Sequence, residues 1–266
     1  MKNILLVFAA CAFLVACNGG IVSKSDNANN TPVEKRVYLI AGTYHELEVG
    51  RAFSVVMSDT VTEPSVQIAA DLHDKVIFRI DEGTLVISLK PGHYRNMGEA
   101  VVLLPHNPLL DEIELSGASH FASSLPLEAA EVSLSLSGAS TFEGVINASR
   151  ELDIELGGAS HLTAEIQQPA GSTDIELSGA STATLSGTTG VLDMDVSGAS
   201  NLNAVKLDAA NVKGDVSGAS TADVLCCQSV SVEVRGVSHL TYGLAADGCT
   251  PAVNCRTSGS STASLR

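Results

Sequence analysis

Tryptophan is absent from this 266-residue chain, and Phe and Tyr together make up only 4% of it. A carbohydrate site built on stacked aromatic platforms is therefore disfavoured. Positive charge is also scarce. Fifteen Lys and Arg face 30 Asp and Glu, a formal net charge of -15. Nucleic acid and anionic headgroups are poor partners for such a surface, whereas cations, basic proteins and neutral glycans remain compatible. Long apolar runs are missing too. Beyond the N-terminal stretch no segment reaches eighteen consecutive apolar residues, so no spanning helix is expected. No amphipathic helical period stands out either.

The N-terminus carries a different pattern. Lys2 precedes the apolar run Ile4 to Leu14, and Leu14-Val15-Ala16-Cys17 places small residues before a cysteine. The run is too short to span a bilayer as a mature helix and reads as a signal, residues 1–16, removed before Cys17. Residues 17–35 are rich in Asn, Gly, Ser and Asp without apolar period, and read as a flexible tether. About 230 residues follow, ample for a hydrophobic core. Cys11 leaves with the signal, so Cys226, Cys227, Cys249 and Cys255 remain, an even number in an exported chain. Disulfides are expected, with three possible pairings; zinc is the rival reading, weakened by the absence of a C-x-x-C pair.

Residues 36–110 alternate in the manner of strands: Val37 to Ile40, Phe53 to Met57, Ser65 to Ile68, Val76 to Ile80, Leu85 to Leu89 and Val101 to Leu104. Asp81-Glu82-Gly83 predicts a hairpin over Val76 to Leu89. Residues 111–266 repeat. Eight near-copies of Ser-Gly-Ala-Ser centre on Gly117, Gly138, Gly158, Gly179, Gly198, Gly218, Gly236 and Gly259, with gaps of 18 to 23 residues. A unit of that size cannot bury a hydrophobic face alone and must stack on its neighbours. Before each glycine runs an alternating strand; the glycine is read as a tight corner.

Three residues beyond each glycine stand His120, Thr141, His161, Thr182, Asn201, Thr221, His239 and Thr262. This alternation predicts an all-β, right-handed parallel β-helix with about 40 residues per coil and two Ser-Gly-Ala-Ser corners in each. The alternative is a twenty-residue coil with His and Thr alternating in one column. Neighbouring rungs of a parallel ladder lie about 4.8 Å apart.

Leu47-Glu48-Val49-Gly50-Arg51-Ala52-Phe53-Ser54-Val55, Gly83 to Leu89 and the repeat beginning Ile113-Glu114-Leu115-Ser116-Gly117-Ala118-Ser119 resemble the putative autotransporter adhesin, head GIN domain family. The resemblance covers about Gly42 to Arg266. It implies a two-sheet right-handed β-helix and a role in adhesion, and it brings no catalytic residues. The segment before Cys17 similarly resembles the bacterial lipobox, which implies lipidation of Cys17.

Four features carry candidate chemistry. His120, His161, Asn201 and His239 form a would-be metal column, with no carboxylate to complete it. Glu112, Glu114, Asp153, Glu155, Asp193, Asp195 and Glu233 form an outward acidic column. Calcium could neutralise it, although Gly-Asp calcium loops are missing; otherwise it is a solvated face. The corner serines Ser119, Ser140, Ser160, Ser181, Ser200, Ser220, Ser238 and Ser261 occur in every repeat, unlike a nucleophile, and read as corner hydrogen-bonding residues. The last coil could be covered by Ala246 to Asn254 or by a second molecule, so self-association is an option. The reading is a non-catalytic envelope protein anchored in a membrane through Cys17, with no cofactor, no metal site and no nucleic-acid partner. Adhesion or surface binding to a glycan or protein is its expected role. The outer membrane is favoured because Asn18 is not acidic. A structural or accessory periplasmic role, or a polysaccharide-acting β-helix enzyme, are the alternatives.

Overall fold

A computed structural model describes residues 31–94, 98–246 and 248–266. The signal and Cys17 lie outside the described residues. The chain is all-β, a solenoid of about eight turns. Its middle is built from long strands that each bend once: β10 (Leu127–Leu136), β11 (Thr141–Leu156), β12 (His161–Leu177), β13 (Thr182–Val196), β14 (Asn201–Val216) and β15 (Thr221–Val234). Each pairs in parallel with the next, and the register shifts part-way along. The half after a glycine corner joins one sheet; the half before the next corner joins the other.

The coil is about 20 residues, which corrects the forty-residue reading. Thr141 pairs with both His120 and His161, and His161 with Thr182. Ala139 donates its N–H to the Gly117 carbonyl at 2.7 Å, and Ala159 to that of Gly138 at 2.7 Å, so consecutive corners touch. Each coil needs two bends, but only one carries the repeated motif. The other falls at segments of unrelated sequence, such as Asn147 to Arg150 and Gln167 to Gly171. The two-set alternation instead lies along a single column. Directly behind it in the core stack Phe121, Phe142, Leu162, Ala183, Leu202, Ala222, Leu240 and Ala263. From Leu162 onward, large and small residues alternate, so neighbouring rungs interlock. The rings of Phe121 and Phe142 stack with centroids 5.5 Å apart.

The corner glycines have φ between +73 and +79°. A Cβ on any from Gly138 to Gly259 would lie closer than 3.0 Å to the carbonyl oxygen of the preceding corner glycine. Both conformation and stacking therefore require glycine. Corner serines turn inward. Ser119, Ser140, Ser160, Ser181 and Ser261 donate to the carbonyl three residues earlier at 2.7–2.8 Å.

Chain order and spatial order part company near the N-terminus. β2 (Glu46–Val49) and β3 (Ser54–Ser58) form a coil whose bend uses Arg51 at φ 80° where later coils use glycine. The first repeat coil, β8 (Glu112–Leu115) and β9 (His120–Ser123), stacks on one side of it. On its other side lie β6 (Thr84–Leu89) and β7 (Val101–Pro105). Three antiparallel strands then close this end: β5 (Val76–Asp81) on β6, β4 (Ser65–Ala69) on β7, and β1 (Val33–Val37) on β4. The hairpin over Val76 to Leu89 is present. The first strand is displaced from the expected Val37 to Ile40, because Val33–Val37 supplies the backbone partners for β4 and Tyr38 to Ile40 leave as a loop. A short 3₁₀ segment, Ala70–Lys75, packs the buried His73 against Tyr38, whose hydroxyl lies 3.1 Å from Nδ1.

At the far end, β16 (His239–Leu244) pairs with β19 (Thr262–Leu265), while β17 (Ala252–Val253) and β18 (Arg256–Thr257) extend the other sheet from β15. Ala252–Val253, within the expected cover from Ala246 to Asn254, thus forms a strand of the last coil and does not cover it. A disulfide joins Cys227, at the motif-free bend, to Cys249. Cys226 is a buried free thiol and Cys255 a half-buried one. Burial raises the Cys255 pKa.

Candidate functional site: two unlike ladders

Every coil points its aliphatic residues inward, and this leaves two outward faces. Beyond the glycine corner, one face presents Ser54, His120, Thr141, His161, Thr182, Asn201, Thr221, His239 and Thr262 in a single column. The histidines do not meet. One rung, Thr141, separates His120 from His161, and three, Thr182, Asn201 and Thr221, separate His161 from His239, so the closest pair are two rungs apart, about 9.5 Å along the ladder. Among the described residues, no three metal-ligating side chains of this column converge on one point. His239 Nδ1 instead lies 2.7 Å from the Thr262 hydroxyl on the next rung.

The opposite face is acidic. One column runs Glu46, Glu112, Ser133, Asp153, Asp174, Asp193 and Lys213. A second, two residues along each strand, runs Glu48, Glu114, Ser135, Glu155, Glu176, Asp195, Asp215, Glu233 and Arg256. The forty-residue coil hid Asp174, Glu176 and Asp215, which fill the rungs between the expected carboxylates; Glu46 and Glu48 join the columns because of the reversed coil order. Lys213 pairs with Asp193 at 2.5 Å, and Arg235 bridges Glu233 at 2.5 Å and Asp215 at 3.5 Å. From Glu46 to Glu176, by contrast, none of the eight carboxylates in the two columns has an ion-pair partner among the described residues.

The crowding shows in the protonation equilibria. Partial burial, then the neighbouring carboxylates Glu46, Glu114 and Asp111, raise the pKa of Glu112. Burial with Glu46 and Glu48 does the same for Glu114. Asp174 is raised by burial and by Asp193, against a lowering by Lys213. Glu46, Glu112 and Glu114 bring one carboxylate oxygen each within 4.8 Å of one another. Three oxygens fall short of the six to eight that calcium takes, and the strand carbonyls nearby are committed to the ladder. A shallow groove of about 280 Å³ follows the second column past Ser135, Glu155, Glu176 and Asp195 to the corner residues Ser137, Ser178 and Ser197.

These columns repeat the same few side chains over many rungs. That arrangement suits extended recognition, and it concentrates no nucleophile, base and oxyanion donors at one point. A sequence comparison matches the family described as "Putative auto-transporter adhesin, head GIN domain" over residues 43–165 and again over 149–243. No curated protein sequence matches. Among solved structures, a protein of Parabacteroides distasonis ATCC 8503 called a putative adhesin is 17% identical, with a TM-score of 0.78 over 89% of this chain and 98% of that one. A putative adhesin of Parabacteroides merdae ATCC 43184 is 15% identical, with a TM-score of 0.78 over 89% and 97%. A third, from the same Parabacteroides distasonis strain and called a putative lipid binding protein, is 19% identical, with a TM-score of 0.76 over 89% and 98%. Identities this low speak for the fold alone.

Proposed function

The chain belongs to the auto-transporter adhesin, head GIN domain family, and from that premise we propose that it is a non-catalytic adhesive protein of the bacterial envelope that engages cationic partners along its acidic sheet. The observation that carries this is the set of eight carboxylates from Glu46 to Glu176 without an ion-pair partner among the described residues, stacked in two columns that only the rung of Ser133 and Ser135 interrupts. Like charges at that spacing destabilise the sheet. A partner that brings positive charge relieves the repulsion on binding. The same field repels anionic polymers and headgroups, so selectivity is for basic segments of proteins or for cationic glycans. Attachment rests on the lipobox-like residues before Cys17: the envelope lipid held by that thiol is the membrane partner, in the outer membrane of a Gram-negative cell.

Binding to an immobilised oligolysine peptide, measured against salt concentration, tests the face directly. The wild-type protein binds, and binding weakens steeply between about 50 and 200 mM salt, as expected for multiple charge contacts. Glu155→Gln/Glu176→Gln/Asp195→Asn lowers affinity about tenfold, on the order of 1.4 kcal/mol. Equal affinity for variant and wild type would remove the acidic face from the proposal. Protease treatment of intact cells tests the adhesive role separately: a chain left uncut on living cells is a periplasmic accessory protein.

A further inference from the structure

The two columns leave unexplained a feature at the N-terminal end. Beside the motif-free bends of the first coils lies a mainly apolar groove of about 370 Å³, walled by Val37, Ile40, Tyr44, Pro64 and Pro105, with Glu63 also in its lining. Its rim exposes large aliphatic side chains: Leu39 is 90% exposed, Leu109 55% and Val37 54%. Among the described residues, the other large exposed aliphatics all lie in the last coils, from Val237 to Leu265. The groove is held open by fixed bonds and not by chance loop placement. Tyr38 N–H donates to the Pro64 carbonyl at 2.9 Å, and Asn107 Nδ2 donates to the Tyr44 carbonyl at 2.8 Å. Burial raises the Tyr44 pKa to about 12, so its phenol stays neutral. Leu39 projects from this frame into water, where an apolar side chain is least favoured.

We propose that this rim docks on the bilayer that holds the chain's own anchor, with Leu39, Val37 and Leu109 inserted into the boundary between headgroups and acyl chains. This rests on the lipid-anchor reading of Cys17. Two observations select the bilayer over other occupants. Val37 follows Cys17 by only 20 residues, and the sixteen from Cys17 to Val33 span at most about 55 Å. The groove therefore sits at the point where the anchored chain enters the fold. Charge points the same way. Residues 31–110 hold seven basic and ten acidic residues, a net of -3, whereas residues 111–266 hold six and nineteen, a net of -13. An anionic membrane repels the body far more than the cap, which orients the solenoid away from the surface. A second copy of the chain is a poorer occupant. The nearest free strand edge, β1, carries Glu34, Lys35 and Arg36, and alternating charges of this kind obstruct edge pairing.

Because the chain lacks tryptophan, Leu39→Trp introduces a single indole, which can be excited selectively over the four tyrosines. The acylated protein would be reconstituted in phosphatidylethanolamine/phosphatidylglycerol vesicles whose acyl chains are brominated. In a second arm, residues 17–266 would be held on the same vesicles by an N-terminal histidine tag and a nickel-chelating lipid. Docking gives a blue-shifted indole emission, quenched at least twofold, from the Leu39→Trp protein in both arms, while Val253→Trp at the far end stays unquenched. An unquenched Leu39→Trp protein in both arms overturns the proposal. Quenching in the tagged arm, with a mass spectrum showing no acyl group on natural Cys17, upholds docking and overturns the anchor reading instead. A blue shift of the Leu39→Trp emission that grows with protein concentration in the absence of vesicles overturns docking in favour of a second copy. Leu39→Ser/Leu109→Ser, both at exposed positions, should fold normally and lose about tenfold in vesicle binding in the tagged arm at low density of the nickel lipid.

Discussion

The two sheets share one interior and differ in what they show to water. Both point apolar residues inward on alternate positions, Phe142 and Ile146 on one and Leu152, Ile154 and Leu156 on the other, all buried. Outward, one sheet holds a neutral column of hydroxyls, imidazoles and an amide, while the other holds ladders of carboxylates. Period-two alternation makes the two requirements independent: the inward set fixes the fold, and the outward set is free to vary. A solenoid with one glycine corner per coil can thus keep the same core and carry two chemically opposed faces. The acidic one is the costly choice, since neighbouring rungs repel. The neutral column carries no such repulsion, and His239 meets the Thr262 hydroxyl of the next rung.

The largest effect should come from breaking what the sheets share. Gly158→Ala adds a Cβ within 3.0 Å of the Gly138 carbonyl, at a φ of +74° that L side chains rarely adopt. Strain and overpacking together predict a loss of about 3 kcal/mol, or about 6–12 °C in Tm. Its neighbour supplies the control. At Gly157 the nearest atom to an added Cβ is the Ser178 hydroxyl at 3.7 Å, an ordinary contact. Gly157→Ala should therefore change Tm by about 1 °C or less. Thermal melts of the two variants would separate a stacked corner from a merely flexible one; equal losses would sink the corner argument.

The motif corner was legible because its physical demand falls on one residue type at one φ, repeated at every rung. The other bend was not. Asn147-Ala148-Ser149-Arg150, Gln167 to Gly171 and Thr188-Thr189-Gly190 share no residue pattern, because the bend there is taken up by register shifts of varying length. Counting only visible corners doubled the coil. The same error scattered the acidic ladder, since Asp174 and Glu176 belonged, on that count, to the wrong face. It also placed the histidines on adjacent rungs. The position of β6 and β7 outside β2 and β3 had no local signature either, being a matter of long-range pairing. The apolar groove was equally hidden. Val37, Pro64, Pro105 and Leu109 are far apart in sequence, and Tyr38 to Ile40 read as part of a strand.

Neutralising the acidic sheet should stabilise the protein as it weakens cationic binding. Glu155→Gln/Glu176→Gln removes two members of a continuous column, and relief of about 0.2–1 kcal/mol is expected, or about 1–3 °C in Tm at low salt. The gain should shrink in about 0.5 M salt, where the repulsion it removes is already screened. The matching change on the neutral sheet, Thr141→Ser, should show no such salt dependence. A Tm difference that is the same at low and high salt would mean that the column is not under electrostatic load.

pH sharpens the same contrast. Glu112, Glu114 and Asp174 have raised pKa values in the folded chain, so the fold holds their protons more tightly than the unfolded chain does. Their contribution is fully present below the usual carboxylate range, near about 4, and is lost as pH rises through the raised values. Tm should therefore decline modestly as pH rises from that range through the raised values, and Glu112→Gln/Glu114→Gln should flatten the decline. An unchanged slope in the variant would assign the pH dependence elsewhere. The three groups are only partly buried, so solvent screening keeps the effect to a few degrees at most.

The smallest effect should come from the neutral column, and it is the most discriminating. His161 is exposed, with Thr141 and Thr182 as its rung neighbours. His161→Thr would make that part of the column uniform threonine, a β-branched side chain suited to a strand. The expected change is within about 0.5 kcal/mol. If the imidazoles were functional ligands, millimolar zinc would raise the Tm of the wild type, and His161→Thr would reduce that gain. None of these histidines belongs to a convergent group of three metal-ligating side chains among the described residues, so zinc should shift neither protein. A zinc-dependent rise that requires His161 would mean that the neutral face has to be counted as a binding surface alongside the acidic one.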